Sequence, residues 1–327
     1  MKMKTYLMAP AMIAALLLAA CNGDDGVDMD RPIALNFSTD GVVTRATIAE
    51  TGETFEAGDR VGVYLSTGNT DDEPSAIGAG AAVDNEPFAK QSGGAWSGTL
   101  YWQNISQWHT FHAYYPYDAA LNSSTATAKA VTVAADQHKD SGAGYKAADY
   151  LWGVSAPTRA TNNSLTVQLQ HRMARIVIHL SPGADMTDAE VDELAPTLEI
   201  VGGTIPATGS MDVTDGTVAA STGQGAQKLT TITPYRTGDD GEYTYFAILL
   251  PGSSFGCGDT FVRLVAPDNT TYYAYELNTT SDLTLESGRQ YIFTLTANKA
   301  GINLDQFSIM GWQTGETATG GANMVVR

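Results

Sequence analysis

Three scarcities bound what this chain can be. Cysteine is nearly absent: Cys21 and Cys257 are the two in 327 residues. A multi-bridge disulfide framework is therefore excluded, and stability must come from packing. Positive charge is short as well, with Lys plus Arg at 18 against Asp plus Glu at 36, for a net charge of −18. Such a surface repels nucleic acid and anionic lipid, which argues against a nucleic-acid partner. Past residue 20, no apolar run approaches the roughly 20 residues of a membrane span. Long helical periodicity is nearly missing too. So are the sequence marks of common chemistries: H-E-x-x-H, G-x-S-x-G and the P-loop do not occur. Among the five histidines, His109 and His112 fall on opposite faces of a strand. His171 and His179 are too far apart along one extended segment to share a ligand. The expectation is no metal, no cofactor and no enzyme. Cys257, in "SSFGCGD", has no sequence partner and reads as a small buried or loop residue.

What the chain does have begins at its front. Residues 1–20, MKMKTYLMAPAMIAALLLAA, carry Lys2 and Lys4 ahead of a short apolar stretch that ends in small residues, the layout of an export signal. Leu18-Ala19-Ala20-Cys21 resembles a bacterial lipobox, which implies lipidation of Cys21 and attachment to the membrane through acyl chains only. The following segment, 21–31, holds Asp24, Asp25, Asp28 and Asp30. It lacks the closing glutamate of a calcium loop and reads as a solvated tether. Acidic residues just after a lipidated cysteine also resemble the surface-export signal of Bacteroidota lipoproteins.

Thirty-three glycines and abundant Thr, Val and Tyr favour strands joined by tight turns. "PIALNFS" puts Ile33, Leu35 and Phe37 on one face, the period of a half-buried strand. "RVGVYLS", "SLTVQLQH" and "RIVIHLS" alternate in the same way. "FHAYYPY", "AVTVAA", "DYLWGV", "TLEIVGG", "YTYFAILLPG", "TFVRLVAP", "TYYAYEL" and "QYIFTLTA" add further strands. Many short strands at such spacing predict a sandwich or barrel. One short helix is expected in "MTDAEVDELA", where Thr187 and Glu190 form a capping box. The polar stretch "APTRATNNS" is read as a boundary, giving an N-terminal β-sandwich over 32–160 and a C-terminal one over 161–327. Near the end, "INLDQFSIMGW" sets Ile302 and Leu304 on one face and Phe307 and Ile309 in a shifted phase, which predicts a bulge near Asp305–Gln306. This segment reads either as the last strand of the second half or as a terminal strand free to leave.

These stretches taken together resemble the fimbrillin (Mfa-like or FimA-like) pilins of Bacteroidota type V pili. The resemblance is carried by "IALNFSTDGVVTRA", "FEAGDRVGVYL", "FHAYYPYD", "LQHRMARIVIHL", "LESGRQYIFTL" and "FSIMGWQTG", in that order. It implies an all-β fold of two tandem transthyretin-like β-sandwiches behind the signal peptide. It also implies assembly by strand exchange after proteolysis at an arginine. Read alone, Arg45 is either a loop arginine or a trypsin-like cleavage site before Ala46; the resemblance favours the cut, whereas Arg31 is followed by Pro32. The cut would release Ile33, Leu35 and Phe37, and Ile302, Leu304, Phe307 and Ile309 become the candidate donor strand. The implied partners are copies of this chain or related pilins, a trypsin-like protease, and ligands on host or bacterial surfaces. The implied place is the outer membrane surface as a lipoprotein, and the fimbrium after processing. The alternative from another class is a surface glycan-binding lipoprotein using Trp96, Trp102, Trp108, Tyr114, Tyr115 and Tyr117. Against it, alternation in "FHAYYPY" would bury Phe111, Ala113 and Tyr115 together.

Overall fold

The computed structural model describes residues 27–39, 55–78, 81–268, 270–279 and 281–312. The strands of the first half are β1 (Ala34–Thr39), β2 (Arg60–Gly68), β3 (Val83–Lys90), β4 (Trp96–Ser97), β5 (Trp108–Tyr115), β6 (Lys129–Thr132), β7 (Leu151–Val154) and β8 (Ser164–His171). Next come β9 (Ala174–Pro182), β10 (Glu199–Pro206), β11 (Thr208–Met211), β12 (Val218–Ala220), β13 (Lys228–Ile232), β14 (Tyr235–Asp239) and β15 (Glu242–Leu249). The chain closes with β16 (Ser254–Phe255), β17 (Thr260–Val265), β18 (Tyr272–Glu276), β19 (Leu283–Thr284), β20 (Arg289–Asn298) and β21 (Gly301–Gly311). Two short helices interrupt them, α1 (Lys139–Ala147) and α2 (Asp188–Leu194). The protein is thus nearly all β.

The helix expected from the capping box is α2. The Thr187 hydroxyl accepts from the Glu190 N–H, Glu190 reaches back to the Thr187 N–H, and Val191 and Leu194 turn inward. Sequence did not announce α1, whose first turn is broken by positive φ at Asp140, Ser141 and Gly142.

The first sheet runs β1-β8-β7-β5-β2-β3-β4. One of its faces gathers Val61, Val63, Leu65, Phe111, Ala113, Leu151, Val167 and Leu169 into a first core, closed by Ile33, Leu35 and Phe37. The sheet curls until its two edges meet, so that the Phe37 ring lies 4.9 Å from Trp96 and 5.7 Å from Phe88, both edge-on. Its opposite face sends Tyr64 and Tyr114 into a second, larger core. There the sheet β14-β15-β9-β20-β21 packs against the sheet containing β18, β17, β10 and β13. Phe293 of β20 and Phe261 of β17 touch across the layers, with ring centroids 4.8 Å apart.

The halves interlock in a way the polar stretch at 156–164 did not suggest. β8 follows that stretch, yet it pairs with β1 and β7 and so completes the first sheet. In the other direction, β6 from the first half pairs with β11 of the second. Gln137, fully buried, imitates a strand: its Nε2 donates to the Ile248 carbonyl (2.7 Å) and its Oε1 accepts from the Ile248 N–H (2.9 Å). Residues 161–171 therefore lie with the N-terminal sheet, and residues 126–148 contribute to the second core. Local polarity marks where a chain is wet, not which sheet it rejoins, and that accounts for the difference from a boundary at 160/161.

Candidate functional site

The segment at 33–39 is an edge strand with one apolar face. Ile33, Leu35 and Phe37 are buried while Ala34, Asn36 and Ser38 point outward, the period of two expected from the sequence. Among the described residues β1 has a single strand partner, β8, to which it runs parallel with Leu35 opposite Leu165 and Phe37 opposite Val167. At its start the Ile33 N–H donates to the Leu100 carbonyl (2.7 Å), and the Asn163 amide donates to the Arg31 carbonyl (2.7 Å). β8 depends on β1 in turn. It is in register with β1 over Ser164–Leu169 but with β7 only at Gln170 and His171.

Past Thr39 the chain enters 40–54, which holds Arg45 and Ala46; both lie outside the described residues, as does Cys21. It returns at Phe55, whose ring packs edge-on against Trp96 (5.0 Å) and Tyr115 (5.4 Å). The two ends of the undescribed link thus converge on one tryptophan, Phe37 on one side and Phe55 on the other.

β21 forms the edge of the second-core sheet, antiparallel to β20. Gln306 pairs with Thr294 and Leu304 with Leu295, leaving Asp305 as an extra residue. This is the expected bulge. It restores phase, so Ile302, Leu304, Phe307 and Ile309 all stand opposite the buried residues Ala297, Leu295, Phe293 and Tyr291. Ile302 is buried, and the other three are half-buried against the second core. The four residues form the last strand described; the chain beyond Trp312 lies outside the described residues.

Trp312 follows directly on β21, in an arrangement that sequence reading missed. Its indole is 3% exposed and lies flat on the His171 ring, 4.0 Å away with 9° between planes. Nδ1 of His171 is hydrogen-bonded to the buried Asp149 carboxylate (2.8 Å). The guanidinium of Arg175, itself fully buried, sits 5.2 Å from the Trp312 ring and donates to Gln290 (2.6 Å). The signal was present in pieces, as the "QHRMAR" and "MGWQTG" stretches, but nothing local joined them.

No group of three His, Cys, Asp or Glu that could hold a metal occurs among the described residues. His109 and His112 are buried, and burial pushes both below the usual histidine range. Lys129 is also buried, with its ammonium over the rings of Tyr114 (5.3 Å) and Tyr150 (5.6 Å), and desolvation lowers its pKa. The six first-half aromatics singled out from the sequence are buried or half-buried. Trp102 and Tyr114 are buried, Trp96 and Tyr115 pack on the first core, and Trp108 and Tyr117 lie beneath Arg159 and Arg60. Cys257 is exposed in the turn after β16.

A family model described as fimbrillin-like matches residues 44–312. The chain belongs to the fimbrillin-like family. This is a family of fimbrial structural subunits, not of enzymes. The matched span starts after β1 and ends at Trp312. A candidate fimbrium subunit of Bacteroides uniformis, Fim1C, is 24% identical over 322 residues, covering 96% of this chain and 97% of that protein. Two crystal structures described as candidate cell adhesion proteins share the fold. The one from Bacteroides uniformis superposes with a TM-score of 0.59 at 20% identity, covering 86% of this chain and 99% of its own. The one from Bacteroides ovatus gives a TM-score of 0.59 at 20% identity, covering 88% and 99%. For this fimbrillin-like chain, the all-β reading and the family resemblance drawn from sequence both hold.

Proposed function

We propose that this chain is a structural subunit of a type V fimbria. It is exported as a lipoprotein on Cys21, trimmed by a trypsin-like protease between Arg45 and Ala46, and polymerised by strand exchange to mediate adhesion. Before the cut it stands on the outer membrane surface, held only by its lipid; after it, in the fimbrium. The observation that carries the reading is the mutual dependence of β1 and β8. Losing β1 would uncover the apolar faces of Val167, Leu169 and Phe88 and strip Ser164–Leu169 of the one strand partner they have among the described residues. A bare apolar edge is a template for another strand, in which main-chain bonds give affinity and alternate side chains give register. Burial of Ile33, Leu35 and Phe37 is worth roughly 1.5–3 kcal/mol each, so the vacated site would bind a replacement strongly.

The replacement comes from another copy or a related pilin. The candidate donor remains the segment of Ile302, Leu304, Phe307 and Ile309. To donate, it must leave β20, and Trp312 must come off His171. That cost is offset only by equal burial in a neighbour.

The test is limited tryptic digestion of the lipid-free chain from residue 22 onward, followed by N-terminal sequencing and electron microscopy. A new N-terminus at Ala46 and rods of joined subunits are expected. A folded product that keeps residues 33–37, or a cut product that stays monomeric, refutes the reading.

A further inference from the structure

Three large apolar side chains remain exposed among the described residues: Tyr101, Ile105 and Tyr272. Tyr272, 50% exposed, borders a cleft that is open, polar and about 710 Å³ in volume. It lies on the outer face of β13, β10, β17 and β18, with Thr230, Thr231, Asp259, Thr260 and Arg263 around it.

The cleft is built by the backbone. β10 loses register between Val201 and Ile205, where Gly202 and Gly203 take φ of +71° and +73°. A Cβ on Gly202 would stand 2.4 Å from the Thr260 carbonyl, so only glycine lets the two strands approach there. β17 bulges beside it, between Thr260 and Val262. Paired bulges re-aim side chains and hollow an otherwise flat sheet.

The tyrosine is held in place before any ligand arrives. Nε of Arg263 donates to the Glu199 carboxylate (2.6 Å), and the same guanidinium lies 5.1 Å from the Tyr272 ring. This row crosses three strands and fixes the ring, which lowers the ordering cost of binding. In contrast, the Asp259 carboxylate and the hydroxyls of Thr230, Thr231 and Thr260 have no hydrogen-bond partners among the described residues. The wall therefore offers a fixed aromatic face beside free acceptors and donors.

Charge and polarity narrow the occupant. Glu199 neutralises Arg263, leaving Asp259 as the uncompensated charge, on a chain of net charge −18. An anionic ligand meets repulsion. A cation finds a single free carboxylate, and a wholly apolar ligand would cover polar groups it cannot satisfy. A molecule with one C–H face and several hydroxyls satisfies every wall. We propose that this cleft binds a neutral saccharide, with a pyranose ring on Tyr272 and its hydroxyls bonded to Asp259 and the threonines. The site does not need trimming or strand exchange; it gives the proposed adhesion a ligand class.

The untrimmed, lipid-free chain is titrated by saturation-transfer NMR and calorimetry with neutral oligosaccharides of α-linked mannose, α-linked glucose and β-linked galactose. Sialylated and sulfated counterparts serve as comparison. At least one neutral series binds, and its anionic counterparts bind more weakly. Tyr272→Phe stays within about threefold of the parent, and Tyr272→Ala loses about tenfold or more, the scale of one lost ring contact. Asp259→Asn weakens binding by about threefold to tenfold. Both positions are exposed, and unchanged melting temperatures confirm folding. Absence of neutral-saccharide binding, preference for the anionic series, or binding indifferent to Tyr272→Ala overturns the assignment. So does a shift of oligomeric state on Tyr272→Ala without saccharide binding, which makes the cleft a contact between copies. Each failure leaves cleavage at Arg45 and rod formation to be read separately.

Discussion

Replacing Phe37 with alanine tests whether β1 is a working wall of the first core. The ring is 6% exposed and meets Trp96 at 4.9 Å and Phe88 at 5.7 Å. Removing a buried phenylalanine costs about 3–5 kcal/mol, within which each edge-to-face pair contributes about 0.5–1.5 kcal/mol. β1 is an edge strand and can settle into part of the gap, which favours the lower figure. About 3 kcal/mol is a large share of a domain stability of about 5–15 kcal/mol. Urea unfolding of the uncut chain, followed by tryptophan fluorescence, therefore shows a midpoint lower by about 1 M or more. The same loss changes the behaviour of cut protein. Once Arg45 is cleaved, the segment is held by non-covalent contacts alone, and about 3 kcal/mol weakens that hold roughly a hundredfold. Cut Phe37→Ala protein should shed its N-terminal segment faster and begin forming rods sooner than cut parent protein. An unchanged midpoint in the uncut chain would show that β1 contributes nothing to the fold. A lowered midpoint with rod formation no faster would show that release of β1 does not gate assembly. Either result defeats the reasoning.

Other perturbations follow from the same structure. Trp312→Ala empties the site on His171 and should cost about 3–5 kcal/mol, read as a lowered denaturation midpoint together with loss of amide protection in β20 and β21. Gln137→Leu keeps the volume but leaves the buried N–H and carbonyl of Ile248 unpaired, at about 1–3 kcal/mol for each group; chemical denaturation measures it. Burial lowers the pKa of His109 and His112 in the folded chain, so the unfolded chain binds more protons below its own pKa of about 6.5. Their contribution is intact above that pH and is lost as pH falls through the depressed folded values, and His109→Phe should flatten the slope of stability against pH in that window.

Much of the architecture was legible because it is local. The buried-exposed alternation at Ile33, Leu35 and Phe37, the Thr187–Glu190 box and the extra residue at Asp305 all follow from neighbours within a few positions. Phe111 and Ala113 went inside as their alternation required, and Tyr115 packs half-buried on the same cluster. What stayed hidden depends on partners far along the chain. Nothing near residue 34 says that it will run parallel to residue 164, and nothing near residue 129 says that it will join residue 211. Asp149, His171 and Trp312 are ordinary residues until three separate elements bring them together. Tyr272 escaped notice for the converse reason: the first-half aromatics are denser in sequence, and density predicts core as readily as it predicts a binding face.

The two strands singled out from opposite ends of the chain meet through β8. Its Val167 and Leu169 face the first core beside β1, while its last residue, His171, carries Trp312 at the end of β21. β8 also leans on β1 for most of its length, since β7 pairs with only its final two residues. The second core does not depend on it in this way, because β9, β15 and β20 are each paired on both sides. Loss of β1 would therefore disable one core and leave the other folded, with the damage concentrated along Ser164–Leu169. A neighbour's strand entering there would re-form main-chain bonds over the length that β1 vacated and would steady His171 beneath Trp312. On this reasoning the proposed loss of β1 would do local damage along Ser164–Leu169, and that edge would be where a replacement strand could bind.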